Sequence, residues 1–243
     1  MNASINPPKV IGHRGAAGHA PENTLASIQK AFDLGVTWVE VDVKLSGDGE
    51  PILLHDDLVD RTTNGKGAAK DMTLAELKAL DAGAWFGASF AGIHIPTLVE
   101  LLVVLVERNM GVNLELKPSA GTAAETGRAV ALACQDMWPE NLPPPIISSF
   151  KTAALAGFAD VMPAWERALL VHKLPDDWLA QADSVGATAM HCNQRHIKRH
   201  QVDAIRAADM PVRCFTVNDA ANAERLYHWG VESLFTDFPE RLL

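Results

Sequence analysis

The 243-residue chain has few cysteines and no long apolar run. Its three cysteines are widely spaced and form no Cys-x-x-Cys pair, so we expect neither a zinc site nor a disulfide framework. The longest apolar stretch, Leu98 to Val106, is interrupted by Glu100 and is too short to span a bilayer. Residues 1–9 lack the apolar run of a signal peptide. These absences predict a cytoplasmic protein without stable membrane association.

The chain also lacks an excess of positive charge. Its 21 Lys and Arg residues against 30 Asp and Glu residues give a net charge of −9 at pH 7. We therefore expect no binding to nucleic acid or to anionic membranes, although a local arginine or lysine can still bind a small anionic substrate. A hydrophobic content of 48% suffices for the core of one large α/β domain or two small ones. The sequence leaves open whether the chain forms a homo-oligomer.

Short apolar segments alternate with helical segments along most of the chain. This alternation is typical of parallel strands, and eight such units in about 250 residues predict a TIM (β/α)8 barrel as a single domain over residues 1–243. An open, doubly wound sheet is the alternative. Active sites of such barrels lie at the C-terminal ends of the strands. The predicted strands are 10–12, 38–43, 112–117, 146–149, 169–171, 187–191, 212–217 and 233–236.

Residues 57–96 differ in character from the rest and predict an insertion after the second strand. The segment contains loops rich in small residues and one short helix over residues 73–80, in which Thr73 and Glu76 form a capping box. Its aromatic residues have two interpretations. Trp85, Phe86 and Phe90 either form a lip over a substrate or pack the insertion onto the barrel.

The second predicted strand carries two carboxylates on one face. Because side chains alternate along a strand, Glu40, Asp42 and Lys44 share a face, and valines occupy the other. In a parallel barrel both faces are buried, so two adjacent carboxylates would repel each other and lose hydration. A bound cation would remove this cost. A tight turn at residues 47–49 then leads to a short apolar run that ends in His55, which delivers an imidazole to the same neighbourhood.

The next predicted strand repeats this pattern with Glu115 and Lys117 two residues apart. Together with Glu40 and Asp42, Glu115 would supply three hard oxygen ligands without a cysteine, which favours Mg²⁺ or Ca²⁺ over zinc or copper. Each element alone has an ordinary structural explanation. Glu-x-Asp could be a solvated strand edge, and Glu115 with Lys117 could be an ion pair in the barrel wall. Their coincidence at the ends of the first three helix-linked strands favours a site.

The first predicted strand leads into Gly12-His13-Arg14-Gly15. Arg14 and Lys117 suit a phosphate group, the arginine through two parallel hydrogen bonds and the lysine as a point charge. His13 and His55 titrate near neutral pH and could transfer protons during phosphoryl chemistry. A single histidine at a strand end is more often only a hydrogen-bonded side chain, so the hypothesis depends on the whole set.

These residues stand in a series of motifs that closely resembles the glycerophosphodiester phosphodiesterase family over nearly the whole chain. The resemblance implies a TIM barrel with a small insertion after the second strand. It also implies metal ligation by Glu40, Asp42 and Glu115. The motifs, in chain order, are Gly12-His13-Arg14-Gly15, Pro21-Glu22-Asn23-Thr24, Glu40-Val41-Asp42-Val43, His55-Asp56, Arg61-Thr62-Thr63-Asn64-Gly65, Ile95-Pro96-Thr97-Leu98, Glu115-Leu116-Lys117, Thr216-Val217-Asn218 and Thr236-Asp237-Phe238-Pro239.

The resemblance further implies an enzyme of lipid and glycerol metabolism that depends on a divalent cation, Mg²⁺ or Ca²⁺. It would hydrolyse small glycerophosphodiesters, such as glycerophosphocholine or glycerophosphoethanolamine, to glycerol 3-phosphate and an alcohol. His13 and His55 would be the acid–base pair, with His13 assigned as the base and His55 as the acid, and Arg14 and Lys117 would hold the phosphate. The nucleophile could be a glycerol hydroxyl, which would give a transient cyclic phosphate, or water.

Two other functions are compatible with parts of this pattern. One is a phospholipase-type phosphodiesterase of the same barrel, but no membrane-seeking amphipathic helix supports it. The other is a barrel that only binds phosphates, against which the intact histidine pair argues, since binding alone requires no proton transfer. The chain departs from the family at Phe215, where many members carry Trp. This change keeps a flat apolar surface but loses an indole N–H donor on that side of the pocket.

Overall fold

The computed structural model describes residues 6–243, so most of residues 1–9, the stretch considered for a signal peptide, lies outside the described part. Nine strands belong to one sheet. The strands are β1 (Val10–Gly12), β2 (Trp38–Leu45), β3 (Pro51–Leu53), β4 (Gly111–Leu116), β5 (Ile146–Ser149), β6 (Arg167–Val171), β7 (Ala189–Asn193), β8 (Val212–Phe215) and β9 (Ser233–Thr236). The helices are α1 (Leu25–Asp33), α2 (Leu74–Lys78), α3 (Leu98–Arg108), α4 (Ala123–Met137), α5 (Thr152–Ala159), α6 (Trp178–Ser184), α7 (Arg199–Ala207) and α8 (Ala220–His228).

Eight of these strands close into a parallel barrel. Strand β1 pairs in parallel with both β2 and β9, so the sheet has no free edge at this point, and the alternative of an open sheet is wrong. The predicted strands and helices are confirmed to within about two residues at their ends. Strand β3 is the exception to the parallel order, since it lies outside the barrel and pairs antiparallel with the end of β2.

The hairpin of β2 and β3 changes one detail of the prediction. We expected the second strand to end near residue 43, with Glu40 and Asp42 at its C-terminal end. Strand β2 instead continues to Leu45, because its last three residues pair with β3, and the hairpin turns at Gly49 in the left-handed region (φ 88°). Glu40 and Asp42 therefore lie within β2, in the part that pairs with β4.

The main core lies between the barrel and its helices. The valines on the outer face of β2 pack in one buried cluster with leucines of α3, such as Leu101 and Leu105. Helix α3 begins at a capping box formed by Thr97 and Glu100 and ends at Asn109 in the left-handed conformation. Fully burying each leucine contributes roughly 1.5–3 kcal/mol. Three partly buried tryptophans, Trp165, Trp178 and Trp229, pack against this core, and the three cysteines are free and buried.

The segment between β3 and α3 builds a second, smaller cluster, whose buried side chains include Val59 and Leu77. Its short helix α2 has the capping box predicted for Thr73 and Glu76. The aromatic residues at 85, 86 and 90 stack edge to face on one another and line neither large cavity described below. Within residues 6–243, no helix combines the length and the apolar character that crossing a membrane requires.

Candidate functional site

Three carboxylates from two neighbouring strands meet inside the barrel. Asp42 on β2 lies directly opposite Glu115 on β4 in the parallel register, and Glu40 is two residues before Asp42 on the same face. One carboxylate oxygen from each of the three lies within 4.8 Å of the others. Glu40 and Asp42 are almost completely buried, and Glu115 is partly buried. The alternation seen in the sequence therefore places all three at one point.

Two cationic side chains, those of Arg14 and Lys117, lie against this carboxylate cluster. The Arg14 Nε atom is 3.2 Å from Asp42 Oδ2, and the Arg14 backbone N–H donates a hydrogen bond of 2.9 Å to Glu40 Oε2. The Lys117 ammonium donates to Glu115 Oε1 at 2.9 Å and lies 3.5 Å from Asp42 Oδ1. Asp42 thus contacts both cations. The two residues predicted to hold a phosphate contact the same carboxylates that are predicted to hold a metal ion.

The carboxylates differ in acidity because they share these cations unequally. Burial, reinforced by the negative charge of Asp42, raises the pKa of Glu40 well above its ordinary value and that of Glu115 to about 7. Burial acts on Asp42 in the same direction, but the charges of Arg14 and Lys117 outweigh it and hold the pKa of Asp42 well below its ordinary value. The cluster therefore has an excess of negative charge that the protein does not neutralise.

This donor set fits a hard divalent cation. All three groups are oxygen ligands, and Mg²⁺ and Ca²⁺ prefer such ligands. Burial and the negative charge of Asp42 raise the pKa values of Glu40 and Glu115. Three carboxylates face two cationic side chains, so a divalent ion would offset the negative charge that remains when all three are ionised. Glu40, Asp42 and Glu115 are the residues that would hold the ion.

His13 follows β1 and is held by a carboxylate from the opposite end of the chain. Its Nδ1 atom lies 2.6 Å from Asp237 Oδ1, and Asn218 donates a hydrogen bond of 2.7 Å to the other oxygen of Asp237. The His13 backbone N–H donates to the carbonyl of Thr236 at 2.8 Å, which fixes the loop. The Nε2 atom lies 3.9 Å from Glu40 Oε2. The imidazole therefore directs one nitrogen to Asp237 and the other to the carboxylate cluster.

His55 has a similar partner with a different environment. Its Nδ1 atom lies 2.6 Å from Asp56 Oδ1, and Arg61 donates to the other oxygen of Asp56 at 2.6 Å. The guanidinium of Arg61 also binds both oxygens of Glu22, which in turn binds Arg14. Burial lowers the pKa of His55, and the charges of Arg14 and Lys117 act in the same direction.

Two cavities open beside these groups. They share four residues, namely His55, Glu115, Lys117 and Phe150. The first, of about 260 Å³, is lined by His13, Arg14, His55, Glu115, Lys117, Phe150, His172, Asn193, Gln194, Arg195, Phe215 and Thr216. The second, of about 290 Å³, is lined by His55, Asp56, Asp57, Glu115, Leu116, Lys117, Pro118, Phe150 and Lys151. Both are of a size that suits a small diester.

Five of the seven residues predicted from the sequence line these two cavities, and the other two, Glu40 and Asp42, contact Arg14 in the cavity wall. Lys44, which was expected on the same face as Glu40 and Asp42, has another contact. Its fully buried ammonium donates to the Asp56 carbonyl and to Asp57, and so fixes the loop that carries His55. Phe215, the departure from the family pattern, packs edge to face on Phe150 in the wall of the first cavity.

Reasoning from the sequence missed the residues that position this site. Asn23 holds Asp42 by a reciprocal pair of hydrogen bonds, from its amide to the carboxylate and from the Asp42 backbone N–H to its carbonyl. Each of the residues missed stands within a motif that carries the family resemblance, so the motifs contained the signal. They are Glu22, Asn23, Asp56, Arg61, Asn218 and Asp237.

Comparison with known proteins shows the family to which the chain is similar. The model of the glycerophosphoryl diester phosphodiesterase family matches residues 13–241. A glycerophosphodiester phosphodiesterase from Caldanaerobacter subterraneus subsp. tengcongensis is 35% identical over 236 residues, which cover 96% of each chain. Among solved structures, an Oleispira antarctica phosphodiesterase in complex with the product sn-glycerol-3-phosphate has a TM-score of 0.94 at 42% identity, covering 97% of the present chain and 95% of that one.

A second solved structure extends the comparison to a more distant sequence. The glycerophosphodiester phosphodiesterase from Agrobacterium tumefaciens has a TM-score of 0.79 at 27% identity and covers 97% of the present chain and 98% of that one. The family model, the sequence relatives and the fold agree over almost the full length of the chain. The chain therefore belongs to the glycerophosphoryl diester phosphodiesterase family and is an enzyme of the glycerophosphodiester phosphodiesterase class.

Proposed function

We propose that the protein uses a divalent cation, Mg²⁺ or Ca²⁺, to hydrolyse small glycerophosphodiesters such as glycerophosphocholine and glycerophosphoethanolamine. The products are glycerol 3-phosphate and the free alcohol. One observation carries the proposal: two histidines, each paired with an aspartate, line the same cavity as Arg14, Lys117 and Glu115. The product sn-glycerol-3-phosphate bound to the Oleispira antarctica phosphodiesterase supports the same product here.

Arg14 and Lys117 bind the phosphate in this mechanism. Both are cationic and both line the cavity. Burial acts to lower the pKa of each, but the charge of Asp42 and of the other neighbouring carboxylates outweighs it and keeps the pKa values of Arg14 and Lys117 above their ordinary values, so both are charged at neutral pH. Glu40, Asp42 and Glu115 hold the cation, which when bound stabilises negative charge on the phosphoryl group. The side chains of Arg14 and Lys117 thus present two positive charges to the phosphate.

The partners of the two histidines support His13 as general base and His55 as general acid. Within residues 6–243, the side chains that contact the Asp237 carboxylate are His13 and the neutral Asn218, so the charge of Asp237 is not shared with a second cationic side chain. Asp56 also binds Arg61, which reduces the stabilisation that it can give to a protonated His55. A protonated His55 with a lowered pKa is the stronger acid toward a leaving alkoxide, and the same lowering leaves a smaller fraction of the ring protonated at neutral pH.

The nucleophile is a glycerol hydroxyl or water, and His13 Nε2 removes its proton in either case. Attack by the hydroxyl forms a cyclic glycerol phosphate, whose hydrolysis requires a second proton transfer. Time-resolved ³¹P NMR of glycerophosphocholine turnover distinguishes the two routes, since a transient cyclic phosphate signal arises only from attack by the hydroxyl.

The first experiment tests metal dependence and substrate class together. Purified protein is incubated with glycerophosphocholine or glycerophosphoethanolamine, with and without chelator, and glycerol 3-phosphate is measured enzymatically. We expect product only with cation present and recovery after addition of Mg²⁺ or Ca²⁺. Undiminished turnover in rigorously metal-free protein would refute the metal assignment, and release of free phosphate or phosphocholine would refute the proposed bond cleavage.

The second experiment separates the two histidines. General acid–base assistance contributes ~10²–10⁴-fold, and an alkyl alcohol needs a proton to leave, whereas nitrophenolate does not. His55→Ala should therefore lose that factor on glycerophosphocholine and much less on a nitrophenyl diester, and His13→Ala should be impaired on both. The exposed His228 on α8 gives the control variant His228→Ala. The opposite pattern exchanges the roles, and equal losses on both substrates refute acid–base catalysis by the pair.

A further inference from the structure

A small cavity of about 20 Å³ lies beside the carboxylate cluster and is lined by both polar and apolar side chains. Three atoms from its lining residues are buried and have no hydrogen-bond partner within residues 6–243: Glu40 Oε1, Asn113 Oδ1 and His191 Nδ1. Buried polar atoms in folded proteins almost always have a partner, which is often an ordered water. The other lining residues are His13, Glu115, Ser148, Leu170, Phe215 and Phe235.

The neighbours of these atoms determine which of them donate. Arg213 is fully buried, and its Nη1 atom lies 3.2 Å from His191 Nε2. Because a guanidinium has only N–H donors, His191 Nε2 must accept, so the proton of the neutral imidazole is on Nδ1. Burial and the charge of Arg213 lower the pKa of His191 well below its ordinary value, so the imidazole is neutral at pH 7.

The acceptors are fixed in the same way. The amide nitrogen of Asn113 donates to Ser148 Oγ at 2.9 Å, which leaves the Asn113 carbonyl oxygen as the unpartnered atom. Glu40 Oε2 already accepts from the Arg14 backbone, which leaves Oε1. The cavity is therefore lined by one free donor and two free acceptors.

We propose that this cavity binds one water molecule, which accepts from His191 Nδ1–H and donates to Asn113 Oδ1 and Glu40 Oε1, and that His191 thereby positions Glu40. A water has two donors, and both are used. The volume exceeds the ~10–15 Å³ that one water needs. Because the water connects Glu40 Oε1 to His191, the orientation of the Glu40 carboxylate toward the divalent ion depends on His191. His191 itself contacts neither the ion nor the substrate. His191 is thus a positioning residue for the cation site.

Direct observation tests the water site without reference to catalysis. A high-resolution crystal structure should show an ordered water within hydrogen-bond distance of all three atoms. Imidazole ¹⁵N NMR at pH 7 should show His191 as the neutral Nδ1–H tautomer. An Nε2–H tautomer, a protonated ring, or the absence of water from the cavity in such a crystal structure would overturn the proposal.

Cation binding tests the positioning role, which rests on the proposed function of Glu40 as a ligand. The dissociation constant for Mg²⁺ alone is measured by calorimetry. His191→Gln keeps an acceptor for Arg213 and a donor for the water, and should bind Mg²⁺ within about twofold of wild type. His191→Phe removes both and should weaken binding about tenfold, the lower end of the range for residues that support metal ligands.

Asn113→Leu removes one acceptor without touching Arg213 and should weaken Mg²⁺ binding similarly, so the test survives if His191→Phe fails to fold. His228→Phe on the surface is the matched control. Unchanged affinity in His191→Phe or in Asn113→Leu would overturn the positioning role. A wild-type protein that binds no divalent cation would instead refute the proposed function, and the water observed in the crystal would still establish the site.

Discussion

In protein without the divalent cation, the contribution of Glu115 to the free energy of unfolding should fall as pH rises from 5 to 8. The reason is the carboxylate cluster, in which burial and the charge of Asp42 raise the pKa of Glu115 from an ordinary 4.5 to about 7. Between these values the folded protein binds a proton that the unfolded chain has lost. The stabilisation is fully present below pH 4.5 and is lost as pH rises through 7.

The magnitude follows from the same two values. Each pH unit between 4.5 and about 7 corresponds to about 1.4 kcal/mol, so Glu115 alone should remove about 3 kcal/mol from the free energy of unfolding by pH 8. The pKa of Glu40 is also raised well above its ordinary value, and it therefore adds to the loss in the same direction. The carboxyl groups with lowered pKa, Asp42 among them, stay ionised throughout pH 5–8 and do not contribute.

The assay is urea denaturation at pH 5, 6, 7 and 8 of protein freed of divalent cation by a chelator. Wild type is compared with Glu115→Gln and with the control Glu125→Gln, which changes an exposed residue. Histidines also titrate in this range, so the quantity compared is the difference between variant and wild type. Glu115→Gln should be the more stable at pH 8 without cation and the less stable with saturating Mg²⁺, because it binds the ion more weakly, on the order of 10²-fold. A 10²-fold loss of affinity corresponds to about 2.7 kcal/mol. This is less than the energy of about 4 kcal/mol between two unit charges 4 Å apart near a protein surface.

Two results would refute this reasoning. If the free energy of unfolding of Glu115→Gln has the same pH dependence as that of wild type in the presence of chelator, the pKa of Glu115 is not raised in the folded protein. If the variant binds Mg²⁺ with wild-type affinity, Glu115 belongs to the barrel wall, with Lys117 as its ion-pair partner, and the cation site consists of other residues.

Three further predictions follow from the surroundings of the site. Arg61→Ala should raise the pKa of His55, measured by NMR titration, because its aspartate partner then loses a competing cation; an unchanged or lower pKa contradicts this. Replacing residues 57–96 with a short linker should preserve the circular dichroism of the barrel better than its substrate selectivity, and complete loss of folding would show that the segment completes the core. Leu101→Ala should lower the free energy of unfolding, measured by urea denaturation, by about 2–5 kcal/mol. The exposed Leu132→Ala should lower it by less than about 0.5 kcal/mol, and equal losses in the two variants would contradict the assigned core.

The sequence predicted what depends on short-range patterns. Alternation along residues 38–45 placed Glu40 and Asp42 on one face, and strand–helix alternation predicted that β4 would bring Glu115 beside them. The capping box at Thr73 was readable because its members are three residues apart. Each of these features is local, so a single sequence contains it.

Many of the contacts that position the site join distant parts of the chain, and the motifs contain the residues without indicating which of them pair. His13 and Asp237 are 224 residues apart, and the fully buried Arg213 binds Glu166, 47 residues away. The partner of Lys44 also could not be predicted from periodicity, which placed this lysine with the carboxylates, whereas the hairpin carries its ammonium to the loop at residues 56–57. Such pairings are set by how the barrel closes.

The sharing of Arg14 and Lys117 between carboxylates and substrate leads to a last prediction, on the order of binding. In the cation-free protein both side chains contact Asp42, so a phosphate must compete with that carboxylate for them. A divalent ion neutralises the carboxylates and makes both side chains available to the phosphate. Cation and glycerol 3-phosphate should therefore bind with positive coupling, each tightening the other by the same factor, which is typically 5–150-fold.

Calorimetry measures this coupling directly, with glycerol 3-phosphate titrated into protein with and without saturating Ca²⁺. Asp42→Asn removes the competing charge, so it should bind glycerol 3-phosphate more tightly than wild type in chelator and lose most of the coupling. Asp160→Asn, which changes an exposed ion pair with Arg128, is the control. Equal affinity for glycerol 3-phosphate with and without Ca²⁺ would show that the two cationic side chains are not shared, and that the carboxylates hold them only as structural ion pairs.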